Sequence, residues 1–209
     1  MKKYLLLTCI TCMLIALVFV ERANAVSFTQ NEFTTAQSLD SGMAQVGVCF
    51  SLGNEFKSFY PQVRYGVGAL FEVGAKAGAL INADPNDSNG VLMGADVKYQ
   101  LIRQTEGVPV DMALDLGFDT SILSGQNVSE LKFSAIFSRS FALTDRGYKL
   151  TPYGGLQVSA LYGSYLSNDQ TNFYVFGGLE WKLTQKLMAL VELKSGNATV
   201  GGVAIRFEF

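Results

Sequence analysis

The feature that most constrains this chain is an alternation of apolar and polar residues that recurs along most of its length. In the segment 199–209, Val203, Ile205 and Phe207 share one parity, whereas Arg206 and Glu208 share the other. A period of two is typical of β-strands, because successive side chains point to opposite faces of a sheet. The chain is therefore predicted to be all-β, with strands that each have one apolar and one polar face.

The alternating segments form a single series, and no second domain is indicated. Ten are predicted, over residues 43–52, 60–67, 71–81, 91–101, 109–120, 129–141, 150–163, 172–183, 187–194 and 198–209. The connections between them are short and contain turn-forming residues such as Asn, Asp, Ser and Gly. Strands joined in this way form an antiparallel up-and-down sheet, and closing that sheet into a barrel removes its edges. We expect about ten strands, with eight or twelve as alternatives.

The charges on the polar face decide whether this barrel is soluble or spans a membrane. The apolar face points inward in a soluble barrel, but outward to lipid in a membrane barrel. Burying many unpaired charges in a dry core would cost several kcal/mol for each. A transmembrane barrel is therefore predicted, with seven basic and eight acidic lumen-facing residues: Arg64, Glu72, Lys76, Asp96, Lys98, Asp111, Asp115, Asp119, Lys132, Glu180, Lys182, Glu192, Lys194, Arg206 and Glu208.

Aromatic residues on the apolar face support the membrane interpretation, because they fall near the strand ends. Two aromatic girdles are expected where a membrane barrel meets the two lipid–water interfaces. One predicted girdle contains Tyr65, Phe71, Tyr99, Phe141, Trp181, Phe207 and Phe209, and the other contains Phe50, Phe118, Tyr162 and Phe173.

The N-terminal residues have the pattern of a secretory signal peptide. Lys2 and Lys3 precede an apolar run over 4–20, and Ala23-Asn24-Ala25 is a small-x-small cleavage site. We therefore predict a cleaved signal peptide over 1–25, a polar periplasmic leader over 26–42 and the transmembrane barrel over 43–209. An uncleaved membrane anchor is the alternative.

Several classes of function are disfavoured by composition. The chain contains no histidine, which is the usual general base near neutral pH, so we expect neither an enzyme nor a cofactor. Cleavage would leave thirteen basic and seventeen acidic residues without a basic cluster, so nucleic acid is not an expected partner. Cys49 would be the only remaining cysteine, which excludes an internal disulfide.

Three aspartates of the predicted fifth strand share the polar face at spacings of four residues. Four strand residues span about 13 Å, so Asp111, Asp115 and Asp119 cannot chelate one ion together. We expect them to pair with Lys98 and Lys132 on the neighbouring strands. A strip that favours cations in an open pore is the alternative.

Two sets of residues resemble bacterial outer-membrane β-barrel proteins. The final strand, Val203-Ala204-Ile205-Arg206-Phe207-Glu208-Phe209, resembles the assembly signal of that class. The stretches Arg64-Tyr65-Gly66, Phe71-Glu72-Val73-Gly74 and Ala95-Asp96-Val97-Lys98-Tyr99 resemble small porin- or transporter-like barrels without an assigned substrate. The resemblance covers about residues 33–209. It implies contact with outer-membrane lipid, delivery by periplasmic chaperones and insertion by the barrel-assembly machinery, with Phe207 and Phe209 as the assembly signal.

The near balance of inner charges predicts a closed or very narrow lumen, since opposite charges in a narrow barrel tend to pair. The corresponding function is structural or passive permeation across the bacterial outer membrane. The alternative is a transporter or binding barrel for a small apolar solute, because Tyr153, Tyr174 and Phe176 fall on the inner face. The sequence carries no indication of oligomeric state.

Overall fold

A computed structural model of the chain describes residues 29–53, 56–82, 89–123, 126–143, 148–164 and 169–209. The predicted signal peptide over 1–25 lies outside the described residues. These residues contain eleven strands: β1 (Ala44–Gly53), β2 (Phe56–Gly66), β3 (Phe71–Asn82), β4 (Gly90–Ile102), β5 (Asp111–Leu123), β6 (Gln126–Ser138), β7 (Phe141–Ala142), β8 (Lys149–Tyr162), β9 (Gln170–Lys182), β10 (Leu187–Gly196) and β11 (Val200–Glu208). In this part of the chain, no helix is long and apolar enough to cross a membrane.

The ten long strands close into one antiparallel ring. Each pairs with its neighbours along the chain, and β1 pairs with β11 from Gln45–Glu208 to Gly53–Val200. The two-residue β7 pairs only with β8, while β6 reaches past it to pair with β8 directly. The predicted all-β, ten-stranded, up-and-down barrel is therefore confirmed.

Strand boundaries differ from the prediction by three residues or more in β2, β5 and β6. β2 begins at Phe56 instead of residue 60, because backbone pairing with β1 and β3 includes Lys57 and Ser58 despite their polar side chains. β6 ends at Ser138 instead of residue 141, and the chain then makes the brief β7 pairing. A short polar stretch next to a strand has the composition of a loop. It can still extend the strand when its backbone pairs with neighbouring strands, which the sequence pattern does not show.

The two faces of the barrel have the polarity of a membrane protein. Apolar side chains in the middle of strands point outward, with exposed fractions of 47% for Val97, 53% for Leu116 and 61% for Ile205. The outer aromatics Tyr65, Trp181 and Phe207 lie near strand ends, whereas Phe118 of the second predicted girdle lies in the middle of β5. The ring centroids of Phe71 and Tyr99 are 4.6 Å apart. We call the end where β1 begins and β11 ends the near end, and the opposite end the far end.

Candidate functional site: a lumen filled by the N-terminal segment

The lumen is filled by residues 29–39, which we call the plug. Every plug residue except Gln37 is buried, including Glu32, Phe33 and Ala36. The structure thus places this part of the predicted 26–42 periplasmic leader inside the barrel, so the leader interpretation is wrong for 29–39. The reason is that the plug's polar groups meet partners on strands distant in sequence, which no local pattern records.

The plug runs along the lumen from the far end to the near end. At its start, the Ser58 hydroxyl donates a hydrogen bond of 2.5 Å to the Gln30 side-chain oxygen. At its end, the Ser38 amide donates to the Gln100 side-chain oxygen at 3.0 Å. The chain then turns into β1, where the Gly42 amide donates to the Gly66 carbonyl at 2.9 Å. The plug is therefore continuous with the barrel wall at the near end.

The carboxylate of Glu192 on β10 clamps the middle of the plug. One oxygen accepts hydrogen bonds from the Glu32 amide at 2.8 Å and the Asn31 side-chain amide at 3.1 Å. The other accepts from the Phe33 amide at 2.7 Å and the Tyr153 hydroxyl at 3.0 Å. Phe33 has a φ of 45°, a left-handed conformation that is unfavourable for a bulky residue. Glu192 thus holds a strained backbone conformation of the plug in place.

The carboxylate of Glu32 is the plug's buried charge, and two lysines from two different strands of the wall bind it. Lys132 on β6 lies 3.0 Å and Lys194 on β10 lies 2.9 Å from the same carboxylate oxygen. Lys194 also donates to the Gln30 carbonyl at 2.6 Å and to the Gln157 side-chain oxygen at 2.7 Å. The hydrogen-bonding capacity of the Lys194 ammonium group is therefore filled chiefly by the plug.

Lys98 and Glu72 hold the near half of the plug. The Lys98 ammonium group donates to the Thr34 hydroxyl at 2.9 Å, and to the carbonyls of Thr35 and Gln37 at 3.0 Å each. Glu72 accepts from the Leu39 amide at 2.9 Å and lies 3.1 Å from Lys98. At Lys98 and Glu72, wall and plug thus satisfy each other's buried polar groups, as buried charges require.

The predicted inner-face charges all lie on the lumen side of the wall. Eleven of the fifteen are buried, while Asp96, Glu180, Lys182 and Glu208 are half-buried. Arg64 connects two of the acids, since it contacts Glu72 and lies 2.5 Å from Asp96. The predicted assembly residues Phe207 and Phe209 point outward at the near end, with exposed fractions of 40% and 60%.

The expected partners of the three β5 aspartates need correction. Asp119 does contact Lys132, at 2.8 Å, and also Lys76, at 2.9 Å. Asp115 lies opposite Lys98 in register, but Lys98 turns towards Glu72 and the plug.

Instead, the basic partner of Asp115 among the ion pairs of the described residues is Arg64, at 4.0 Å. Asp111 accepts a hydrogen bond from the Gln100 side-chain amide at 2.9 Å. The predicted pairing of these aspartates with lysines did not consider the plug, which competes for the same lysines.

Sequence reasoning missed two acids of the lumen. Glu130 is buried on the same face of β6 as Lys132, and its parity in the alternation could have identified it. Glu32 carried no such signal, since it belongs to no alternating segment. Only the paired lysines on β6 and β10 reveal its role.

The inner aromatics contact the wall residues that hold the plug. Besides the bond from Tyr153 to Glu192, the rings of Tyr174 and Phe176 lie with their centroids 5.9 Å from the Lys194 nitrogen. A cavity of about 200 Å³ opens at the near end, and it is lined largely by polar groups, among them Glu72, Lys98 and Arg206. The described residues include no group of three or more cysteine and acidic side chains placed to hold a metal ion.

Comparison with known proteins gives similarity only among solved structures. No family model and no curated protein sequence matches the chain. The β-domain of the Bordetella autotransporter BrkA aligns at 12% identity over 81% of this chain and 100% of its own, with a TM-score of 0.47. The N-terminal β-barrel domain of Pseudomonas aeruginosa OprF aligns at 13% identity over 82% and 100%, with a TM-score of 0.41. The KdgM porin aligns at 10% identity over 79% and 99%, with a TM-score of 0.41.

The barrel's own geometry defines its class. A closed ring of long antiparallel strands leaves no unpaired edge in lipid, and its outer face is apolar while its inner face is charged. These are the properties of a transmembrane β-barrel of the outer-membrane type. Within that class, this barrel has a lumen occupied by its own N-terminal segment.

A glycine on β11 makes room for the plug, and enlarging it should loosen the plug. A Cβ atom at Gly202 would lie 2.6 Å from both the Phe33 ring and the Phe50 carbonyl oxygen. We expect Gly202→Ala to cost about 1–3 kcal/mol, because overpacking forces neighbouring groups to shift. Protease digestion should cut the plug faster in Gly202→Ala than in the wild type.

The neighbouring Gly201 provides the matched control. A Cβ atom there would meet its nearest side-chain atom, on Leu193, at an ordinary 3.6 Å. Gly201→Ala should therefore leave plug digestion unchanged. Equal protection of the plug in both variants would contradict the packing of Phe33 against Gly202.

Proposed function

We propose that this protein is a bacterial outer-membrane barrel whose permeability is controlled by its plug, and that it is closed with the plug in place. The observation that carries the proposal is the clamp of Glu192 on consecutive plug amides together with the two lysines on Glu32. Such contacts tie the plug to both β6 and β10 of the wall. The role is structural in the closed state and passive permeation once the plug is displaced, without catalysis.

The alternative role, a binding barrel for a small apolar solute, has less support. It needs an open pocket lined by Tyr153, Tyr174 and Phe176. These side chains instead surround Lys194 and Glu192, both of which contact the plug. The near-end cavity is lined mainly by polar groups, so it does not favour an apolar ligand.

Proteoliposome swelling tests the closed state. The wild-type protein should fractionate with the outer membrane and should admit small sugars no faster than empty liposomes do. A protein with its plug residues removed serves as the positive control for an open pore. Rapid swelling with the intact protein would contradict a plug that closes the lumen.

The C-terminal aromatic residue is proposed to act during assembly. β11 closes the ring against β1, and Phe209 lies next to Phe207, with ring centroids 4.9 Å apart. Phe209→Asp should lower the yield of folded, heat-modifiable barrel, since a charge replaces an outward aromatic at the membrane rim. Phe209→Tyr should assemble normally, and a normal yield for Phe209→Asp would refute the assembly role.

A further inference from the structure

We propose that Lys132 and Lys194 form a carboxylate-binding site, which Glu32 occupies in the closed barrel and which a small carboxylate solute occupies when the plug is displaced. The proposal rests on the plug function proposed above, and it specifies the chemistry of the solute. Under this proposal, the plug closes the barrel by supplying the group that the site binds.

The geometry around Glu32 is that of a built anion site. The two ammonium groups come from β6 and β10 and meet at one oxygen, at 3.0 and 2.9 Å, while Lys132 also reaches the second oxygen at 3.3 Å. Both lysines are almost fully buried. Charge-assisted hydrogen bonds to a carboxylate are strongest in such surroundings, where water does not compete.

The wall alone leaves these lysines incompletely satisfied. If the plug leaves, Lys194 loses the carboxylate of Glu32 and the Gln30 carbonyl, and from the wall it keeps the Gln157 side-chain oxygen. Lys132 keeps Asp119, but Asp119 is shared with Lys76, which lies 2.9 Å from it. A cation that has lost an anionic partner favours replacement by another anion.

Acetate rescue of Glu32→Ala is the most specific test. The atoms that this substitution removes are a methylene group and a carboxylate, which acetate closely matches. In detergent, sodium acetate should raise the heat-modification midpoint of Glu32→Ala saturably towards the wild-type value, and sodium chloride at equal ionic strength should not. An equal response to both salts, or no response, would overturn the carboxylate site.

Two variants keep this result interpretable. Glu32→Gln fills the space without charge and should show no acetate effect, and Lys132→Met added to Glu32→Ala should abolish the rescue. If Glu32→Ala folds poorly, its refolding yield in acetate is compared with that in chloride. A yield that depends on acetate supports the site, and equal yields overturn it.

Ion selectivity then tests the solute. In a potassium acetate gradient, a barrel without residues 29–39 should be more permeable to acetate than the same barrel that also carries Lys132→Met and Lys194→Met. If the barrel conducts but its ion selectivity is the same with and without Lys132 and Lys194, the solute assignment is overturned. A barrel that does not conduct at all would instead refute the plug function, while the acetate response of Glu32→Ala still decides the site.

Discussion

Removing residues 29–39 is expected to convert a nearly silent barrel into a conducting one. With the plug gone, its buried backbone and side chains leave a lumen lined by charged residues that water can enter. Ten-stranded barrels are only slightly wider than the smallest ones, so the pore would be narrow. In planar bilayers we expect the mean conductance to rise clearly above that of the wild type.

The deletion must leave the barrel itself intact for this result to count. The strands begin at Ala44, and the described part of the sheet pairs without contributions from 29–39. Heat-modifiable migration of the protein without residues 29–39 is therefore the control for folding. If the folded variant and the wild type conduct equally, the plug does not limit permeation.

Replacing Glu192 is expected to have the largest effect of any single wall residue on the plug. Glu192→Ala leaves the amides of Glu32 and Phe33 without their buried acceptor, together with the Tyr153 hydroxyl. Each unsatisfied buried donor costs about 1–3 kcal/mol, so the two amides together should cost about 2–6 kcal/mol of docking free energy. Hydrogen exchange at these two amides should speed up accordingly.

Glu208 provides a control with the same chemistry at the rim. It lies 3.3 Å from Lys182, and both side chains keep contact with water, with exposed fractions of 19% and 24%. Ion pairs that remain accessible to solvent contribute only about 0–1 kcal/mol. Glu208→Ala should leave exchange at Glu32 and Phe33 unchanged, and equal effects of the two substitutions would argue against the clamp.

The wall of this barrel could be predicted from the sequence because its rule is local. Alternation alone assigns Arg64, Lys132 and Lys194 to the lumen, since a register error would move charges into lipid. The same rule also assigns Glu130 to the lumen, because Glu130 has the same parity as Lys132 on β6. The class of fold follows from many such positions that agree with one another.

The plug could not be predicted, because its structure depends on contacts distant in sequence. Glu32 is joined to Lys132 and Lys194 across 100 and 162 residues. A short polar segment before a barrel has the same composition whether it is solvated or buried against charged partners. Its lysine partners were identified as inner-face residues, but nothing local showed that Lys98 would bind plug carbonyls instead of Asp115.

Disulfide trapping measures the position of the plug most directly. The Ala36 amide lies 3.1 Å from the Ser138 hydroxyl, so Ala36→Cys with Ser138→Cys, in a Cys49→Ser background, should form a disulfide in intact outer membranes. The control pair Ala36→Cys with Phe137→Cys should not, because Phe137 is the next residue on β6 and faces outward. A cross-link in the first pair alone is the predicted result. Two results together would contradict a plug inside the lumen. The first pair would form no cross-link, and the thiol introduced by Ala36→Cys would react with an added maleimide as fast as an exposed thiol does.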